Sequence, residues 1–312
     1  MTLQQQIRSN RYRSAMLVLS FGLVFVLIGL IVQAVYGGVF LPAIAIGAFV
    51  YALIAWFANG SMIASWSGAR PIGPGEYPEL RHAVETAAIG AGLTQPPQIR
   101  IVDDPAPNAF AAGRDPKHAY VAATTGLLQM MDKRELEGVI AHEIGHIRNR
   151  DVRLMSLAAV LVGVVALFSD ILLRIAFFGG GRRRGGGNPI VMALGIVGLI
   201  VAPIAATGIQ MALSRRREYL ADEASATITG DPEGLAHALW KLKVDPQEMR
   251  HANRATAHLY IETPLNNLSG ARGALSGLFA THPELDDRIH SLEQLGGFRL
   301  AEDTGVITPA PA

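Results

Sequence analysis

The sequence predicts a membrane protein of the α+β class: two apolar helical hairpins, about four transmembrane helices in all, attached to a mainly helical domain with a small β-sheet. Three observations predict this. Of 312 residues, 50% are hydrophobic and only 17% are charged, where a soluble globular chain carries about 25% charge. Four apolar runs, Ser14 to Tyr36, Val39 to Phe57, Leu154 to Phe178 and Pro189 to Leu213, have lengths suited to crossing a bilayer. Between and after them lie two short strand-like runs and several stretches with one apolar helical face. A net charge of +1 gives no reason to expect a nucleic-acid partner. The chain has no cysteine, which excludes disulfides, thiol chemistry and Cys-based metal sites. Any metal must be held by His and carboxylates.

The first run carries no charge, and at about 1.5 Å per residue it covers the roughly 30 Å hydrocarbon core. It is too long for a signal-peptide core. "YGGVFLP" joins it to the second run as a tight hairpin, and Trp56 and Trp66 suit a membrane interface. The third run contains Asp170 and Arg174, spaced to pair on one helix face. The basic tip "GGGRRRGGGN" separates it from the fourth. If all four runs cross, three arginine groups fall on one side: Arg8, Arg11 and Arg13; Arg148, Arg150 and Arg153; and Arg215, Arg216 and Arg217. That side is then the cytoplasm. Arg182, Arg183 and Arg184 fall on the other side, against the rule. Either the second hairpin inserts only partly, or its tip crosses despite its charge.

The remaining elements follow in order. "PGEYPELRHAVETAAIGAGL" reads as a helix ending near Gly90 to Gly92. "QIRIV" (98–102) and "AYVAA" (119–123) read as strands. "PNAFAAG" between them is a candidate extended segment whose alternation is too weak to define a strand by pattern. Asp132 with Glu135 three residues on is a capping-box start. The helix it opens has Leu136, Val139, Ile140, Ile144 and Ile147 as apolar positions. "SRRREYLADEASATITG" is helical up to Gly230, and Asp231 with Pro232 caps the next helix. Residues 262–281 are rich in Gly, Ser and Asn and read as a loop. "HPELDDRIHSLEQLGG" is a last helix with Leu285, Ile289 and Leu292 on one face, and the tail beyond it is expected to be disordered.

The capped helix contains "AHEIGH" (141–146), with His142 and His146 four residues apart. Residues at i and i+4 share a helix face, so both imidazoles can reach one ion. Neutral imidazole suits Zn²⁺. Glu143, one residue on from the first His, can approach a water on the ion without competing as a ligand. A catalytic zinc takes three protein ligands and keeps one position open. Glu218 in "RRREYLAD" is the candidate for the third, with Asp222 one turn further on the same face to orient a ligand. The competing reading pairs Glu218 with Arg215 or Arg217.

At these residues the chain resembles the integral-membrane zinc metallopeptidases of HtpX type, a family that also includes the CAAX prenyl endopeptidase. "PNAFAAG" (107–113), "ELEGVIAHEIGHIRNRD" (135–151), "SRRREYLADEASA" (214–226) and "THPELDDRI" (281–289) match its motifs in order. The resemblance implies a zincin-like catalytic domain on the cytoplasmic side of the inner membrane. It implies His142, His146 and Glu218 as ligands of one zinc ion per chain, and Glu143 as general base. Asp222 becomes a supporting residue, with Arg288 pairing to it, and His282 lies near the site. Asn108, Ala109, Phe110 and Ala111 become an edge strand that receives the substrate backbone. His282, Tyr219 and Arg288 are all candidates to stabilise the oxyanion. The substrates implied are misfolded or damaged membrane proteins and unfolded polypeptides, in a quality-control role.

The resulting organisation is a cytoplasmic tail (1–13), a first hairpin (14–57), a first catalytic part (58–153), a second hairpin (154–213), a second catalytic part (214–300) and a disordered tail (301–312). Two rival functions remain. A prenyl-protein endopeptidase needs more spans and a large intramembrane chamber. A membrane scaffold with a metal but no turnover has no use for Glu143.

Overall fold

A computed structural model describes residues 3–36, 40–161, 215–245, 247, 249, 259–261, 283–301 and 305–309. Helices α1 (Leu3–Tyr36) and α2 (Phe40–Ser67) pack along one another. Each holds a stretch long and apolar enough to cross a membrane, Ile7–Leu30 and Leu41–Ser67. Leu19, Leu23, Ile46, Phe49 and Phe57 point outward from the pair. An apolar surface of this kind is stable against lipid rather than water.

The helices extend past the expected hairpin at both ends. Residues expected to form a tail join α1 from Leu3 onward. The arginines end the apolar run but not the helix, since arginine is a good helix former. Beyond Phe57, α2 continues to Ser67, with polar side chains turned back onto their own helix. Asn59 donates to the Trp56 carbonyl at 3.1 Å, and Ser67 donates to that of Ile63 at 2.8 Å.

Strands β1 (Arg70–Pro71), β2 (Gln98–Val102), β3 (Ala109–Gly113) and β4 (Ala119–Thr124) form one sheet in the order β1-β2-β4-β3. β2 and β4 run parallel, with Gln98 opposite Tyr120, and β3 returns antiparallel with Ala109 opposite Ala123. Every residue of β3 and β4 is buried, because both sheet faces are covered. Ala109, Ala111, Val121 and Ala123 face the core built with the helices that follow α2. Phe110, Ala112, Tyr120 and Ala122 face a second core shared with α1, α2 and residues 154–161. A strand buried on both faces loses its polar alternation, which is why "PNAFAAG" carries so weak a strand pattern.

The helices that follow, among the described residues, are α3 (Pro78–Gly90), α4 (Thr125–Met130), α5 (Lys133–Arg148), α6 (residues 151–161), α7 (Arg215–Thr229), α8 (Pro232–Val244) and α9 (Leu285–Gly296). The capping box at α5 forms as the sequence predicts: the Glu135 amide donates to Asp132 at 3.0 Å and the Asp132 amide donates to Glu135 at 2.7 Å. Asp231 caps α8 by accepting from the Gly234 amide, and it also takes a two-pronged bond from Arg134 at 2.7 and 2.8 Å. Close helix crossings centre on glycine. A Cβ on Gly138 would lie 2.8 Å from the Leu235 backbone nitrogen, and one on Gly145 would meet the Ala224 side chain at 3.1 Å. α5 is thereby brought against both α8 and α7.

The C-terminal tail is ordered in part, contrary to expectation. β6 (Ile307–Pro309) pairs antiparallel with β5 (Phe298–Leu300). Phe298 and Leu300 are buried in the same core as Ala109 and Val121, and Ile307 packs on it. Burial of these three side chains supplies what so short a pattern does not signal. Most of the second hairpin, with Asp170, Arg174 and the Arg182–Arg184 tip, lies outside the described residues, as do 262–281 and His282.

Candidate metal centre

α5 carries His142, Glu143 and His146 on its buried side, each no more than 3% exposed. The fold presses α7 against α5, held in part by a 2.7 Å bond from the Ser225 hydroxyl to the Gly138 carbonyl. This lays Glu218 across from both imidazoles. His142 Nε2 is 3.7 Å from Glu218 Oε2, and His146 Nε2 is 3.7 Å from Oε1. One ligand atom from each of the three residues falls within 4.8 Å of the others.

This geometry fits a cation. Ligands about 2.0–2.1 Å from a tetrahedral ion lie roughly 3.3 Å from one another. The observed separations are slightly wider, and too long for hydrogen bonds. The outer nitrogens of both rings are already engaged. His142 Nδ1 lies 2.9 Å from Asp222 Oδ1, and His146 Nδ1 lies 3.3 Å from Asp151 Oδ2. On a neutral ring, a carboxylate acceptor at Nδ1 places the proton there and leaves the Nε2 lone pair aimed at the common point.

Asp222 lies one turn beyond Glu218 on α7. Arg288, from α9, is fully buried and forks onto it, with Nη2–Oδ1 at 2.7 Å and Nε–Oδ2 at 3.0 Å. Arg288 Nη1 also lies 3.8 Å from Glu218 Oε2. Burial and the neighbouring guanidinium push His142 down to about 4. For His146 the Asp151 hydrogen bond and the nearby Glu218 charge override burial and push it up to about 9. Burial pushes the Glu143 carboxyl up to about 7, reinforced by the Glu218 charge and held back by His146, Arg288 and the Ala111 amide that donates to it. Arg288 and His142 hold Asp222 below the usual carboxylate range, against burial.

β3 is the edge strand beside this cluster, but its outer edge is not open. The Ala109 carbonyl accepts from the Ile261 amide at 3.0 Å, and Phe110 bridges Tyr260 antiparallel. Asn108 is buried, with its side-chain oxygen on the Ala109 amide. Further along, the Ala111 amide serves Glu143, and the Gly113 amide donates to Ser156 Oγ at 3.0 Å. Residues of the same chain thus hold the edge at 108–111 that the sequence reading expects to receive a substrate backbone. Tyr219 is half-buried on α7.

Asp151 is the site residue that the sequence reading passed over. It stands five residues after His146 in "HIRNRD", a lone carboxylate among arginines. That contrast was the available signal. What hid the residue was the break between α5 and α6, which alone brings it back to His146.

Together the fold and the site define a membrane-bound metallopeptidase: a buried His-His-Glu cluster with an adjacent carboxylate, on a domain joined to two long apolar helices. The model of Peptidase family M48 matches residues 74–295. A protease HtpX homolog of Lactobacillus helveticus is 42% identical over 306 residues, covering 94% of this chain and 100% of the relative. One from Dictyoglomus thermophilum is 44% identical over 260 residues, covering 80% and 82%. The crystal structure of S. mikatae Ste24p aligns with a TM-score of 0.48 at 20% identity, over 93% of this chain and 67% of that one. The chain belongs to peptidase family M48, whose members are in general zinc-dependent metallopeptidases.

Proposed function

We propose that the chain is a zinc endopeptidase anchored in the inner membrane by about four helices, with its active site on the cytoplasmic side, and that it cleaves misfolded or damaged membrane proteins. The observation that carries this reading is the convergence of His142, His146 and Glu218 beside buried Glu143. Those three residues would hold one zinc ion. Zinc, when bound, supplies Lewis acidity that polarises a peptide carbonyl and acidifies water. Glu143, its carboxyl raised by burial, takes the proton of the attacking water and returns it to the leaving amine. Asp222 holds the tautomer of His142, and Arg288 holds Asp222. Because Arg288 is wholly buried and committed to that carboxylate, Tyr219 and His282 are the better candidates for the oxyanion.

An extended peptide would add along Asn108–Ala111 by taking the place of Tyr260 and Ile261. Main-chain hydrogen bonding gives broad specificity, which suits quality control. The arginines before the first apolar run and around the ends of the second apolar region support the cytoplasmic orientation. The test is Glu143→Gln in the detergent-purified chain. Metal analysis should find zinc retained, and casein cleavage should be lost. Cleavage at the wild-type rate with zinc bound would remove Glu143 from its role.

A further inference from the structure

A polar residue near the start of α1 is turned into the protein. Asn10 is 4% exposed. Its side-chain amide donates to Asp151 Oδ1 and to the Asn149 carbonyl, the first at 2.5 Å and the second at 3.3 Å. Asp151 is itself 0% exposed. Its other oxygen, Oδ2, faces His146 Nδ1 at 3.3 Å. The buried guanidinium of Arg217 lies close enough to Asp151 for their charges to interact.

The backbone that makes this possible is unusual. Asn149 ends α5 in a right-handed conformation, and Arg150 follows at φ 59. A left-handed conformation costs roughly 1–2 kcal/mol for a residue with a Cβ, and persists where surrounding contacts over-determine it. Here it folds the chain back, so that the first residue of α6 meets a ring five positions earlier. Asn10 grips both sides of that turn, at the Asn149 carbonyl and the Asp151 carboxylate.

We infer that Asp151 and Asn10 are positioning residues of the metal centre. Asp151 fixes the Nδ1–H tautomer and the plane of His146, and Asn10, reaching in from the first membrane helix, fixes Asp151. His142 has an equivalent support in Asp222, but that support is anchored by Arg288 within the catalytic domain. Among the described residues, only the His146 side is tied to α1. Seating of the membrane helix and affinity for the cation are therefore linked through one chain of hydrogen bonds. The inference rests on reading His142, His146 and Glu218 as the ligands.

The test uses the full chain in detergent, with Zn²⁺ affinity measured by competition against a chromophoric chelator and casein kinetics measured at saturating Zn²⁺. Removing a carboxylate that orients a ligating His weakens metal binding by about 10-fold or more, so Asp151→Ala should show that loss. Asp151→Asn should recover part of it, because its amide oxygen still accepts from Nδ1–H. Asn10→Ala should weaken Zn²⁺ by about 3-fold, the worth of one modest hydrogen bond, and should add nothing in the Asp151→Ala background. At saturating Zn²⁺ the variants should lower kcat and leave KM unchanged. Wild-type Zn²⁺ affinity in Asn10→Ala and Asp151→Asn would overturn the inference even if Asp151→Ala fails to fold, and where it folds, independent additive losses in the double variant would overturn it too. A wild-type chain that binds no Zn²⁺ overturns the ligand reading and this inference with it.

Discussion

Arg288 is the residue on which the charge balance of the centre depends. It is a fully buried cation that forks onto Asp222, approaches Glu218 at 3.8 Å and donates to the Ile261 carbonyl at 3.4 Å. Removing one partner of a buried ion pair leaves the other charged and desolvated, at a cost of about 3–5 kcal/mol. Arg288→Ala should lose that much stability, measured by unfolding of the chelated chain in detergent. Arg288→Lys should recover only part of the loss, since an ammonium cannot reproduce the two-pronged geometry. A loss below about 1 kcal/mol in Arg288→Ala would mean that water or a rearranged neighbour satisfies Asp222. At this scale the sequence is legible where spacing and helix geometry coincide. His142 and His146 share a face because a capped α5 runs unbroken beneath them. It is illegible where a backbone irregularity decides. Nothing in "RNRD" announces that Arg150 adopts a left-handed turn, so the contact between Asp151 and His146 could not be read in advance.

Among the elements, β3 and α8 carry opposite lessons. The sequence pattern hides β3, since burial of both its faces removes the alternation that would mark a strand. Its outer edge is held by Tyr260 and Ile261, a partner that no local pattern specifies. If substrate takes that place, weakening the self-contact should help it bind. Ile261→Pro removes the amide that donates to Ala109, a bond worth about 1 kcal/mol. The expected result is a KM for casein lower by about 5-fold with kcat little changed; an unchanged KM would argue that peptide binds elsewhere. α8, by contrast, is announced by its own Asp-Pro start. Asp231 caps it and binds Arg134, which together hold its carboxyl below the ordinary range. A carboxylate depressed in the folded state adds stability above its unfolded value of about 3.9, and that stability disappears as pH falls through the folded value. Wild type should therefore be more stable than Asp231→Asn near pH 7, and the gap should close at pH values well below about 4. Thermal unfolding across that range checks the sign, and a constant gap would exclude this linkage.

Among the described residues, two cores share the four-stranded sheet, with the candidate metal ligands on the helices of one core and the apolar pair α1–α2 in the other. His146 and Glu218 are 72 residues apart in sequence, with the second apolar region between them. A cation bound by both would close that long excursion, since a ligand that binds only the folded arrangement stabilises it by mass action. Zn²⁺ at about 100 times its dissociation constant contributes about 2.7 kcal/mol. Chelation should accordingly lower the unfolding midpoint by several degrees. The effect should also be local. α7 meets α5 through the Ser225–Gly138 bond and the close Gly145 crossing, while its Glu218 end faces the site and Arg288. Hydrogen exchange should therefore rise most in the first turns of α7 and the last turns of α5. It should rise little in β2 and β4, whose ladder does not involve the site. Exchange that stays the same on metal removal, or that rises uniformly across the sheet, would mean that α5 and α7 are held by packing alone and that no cation spans them.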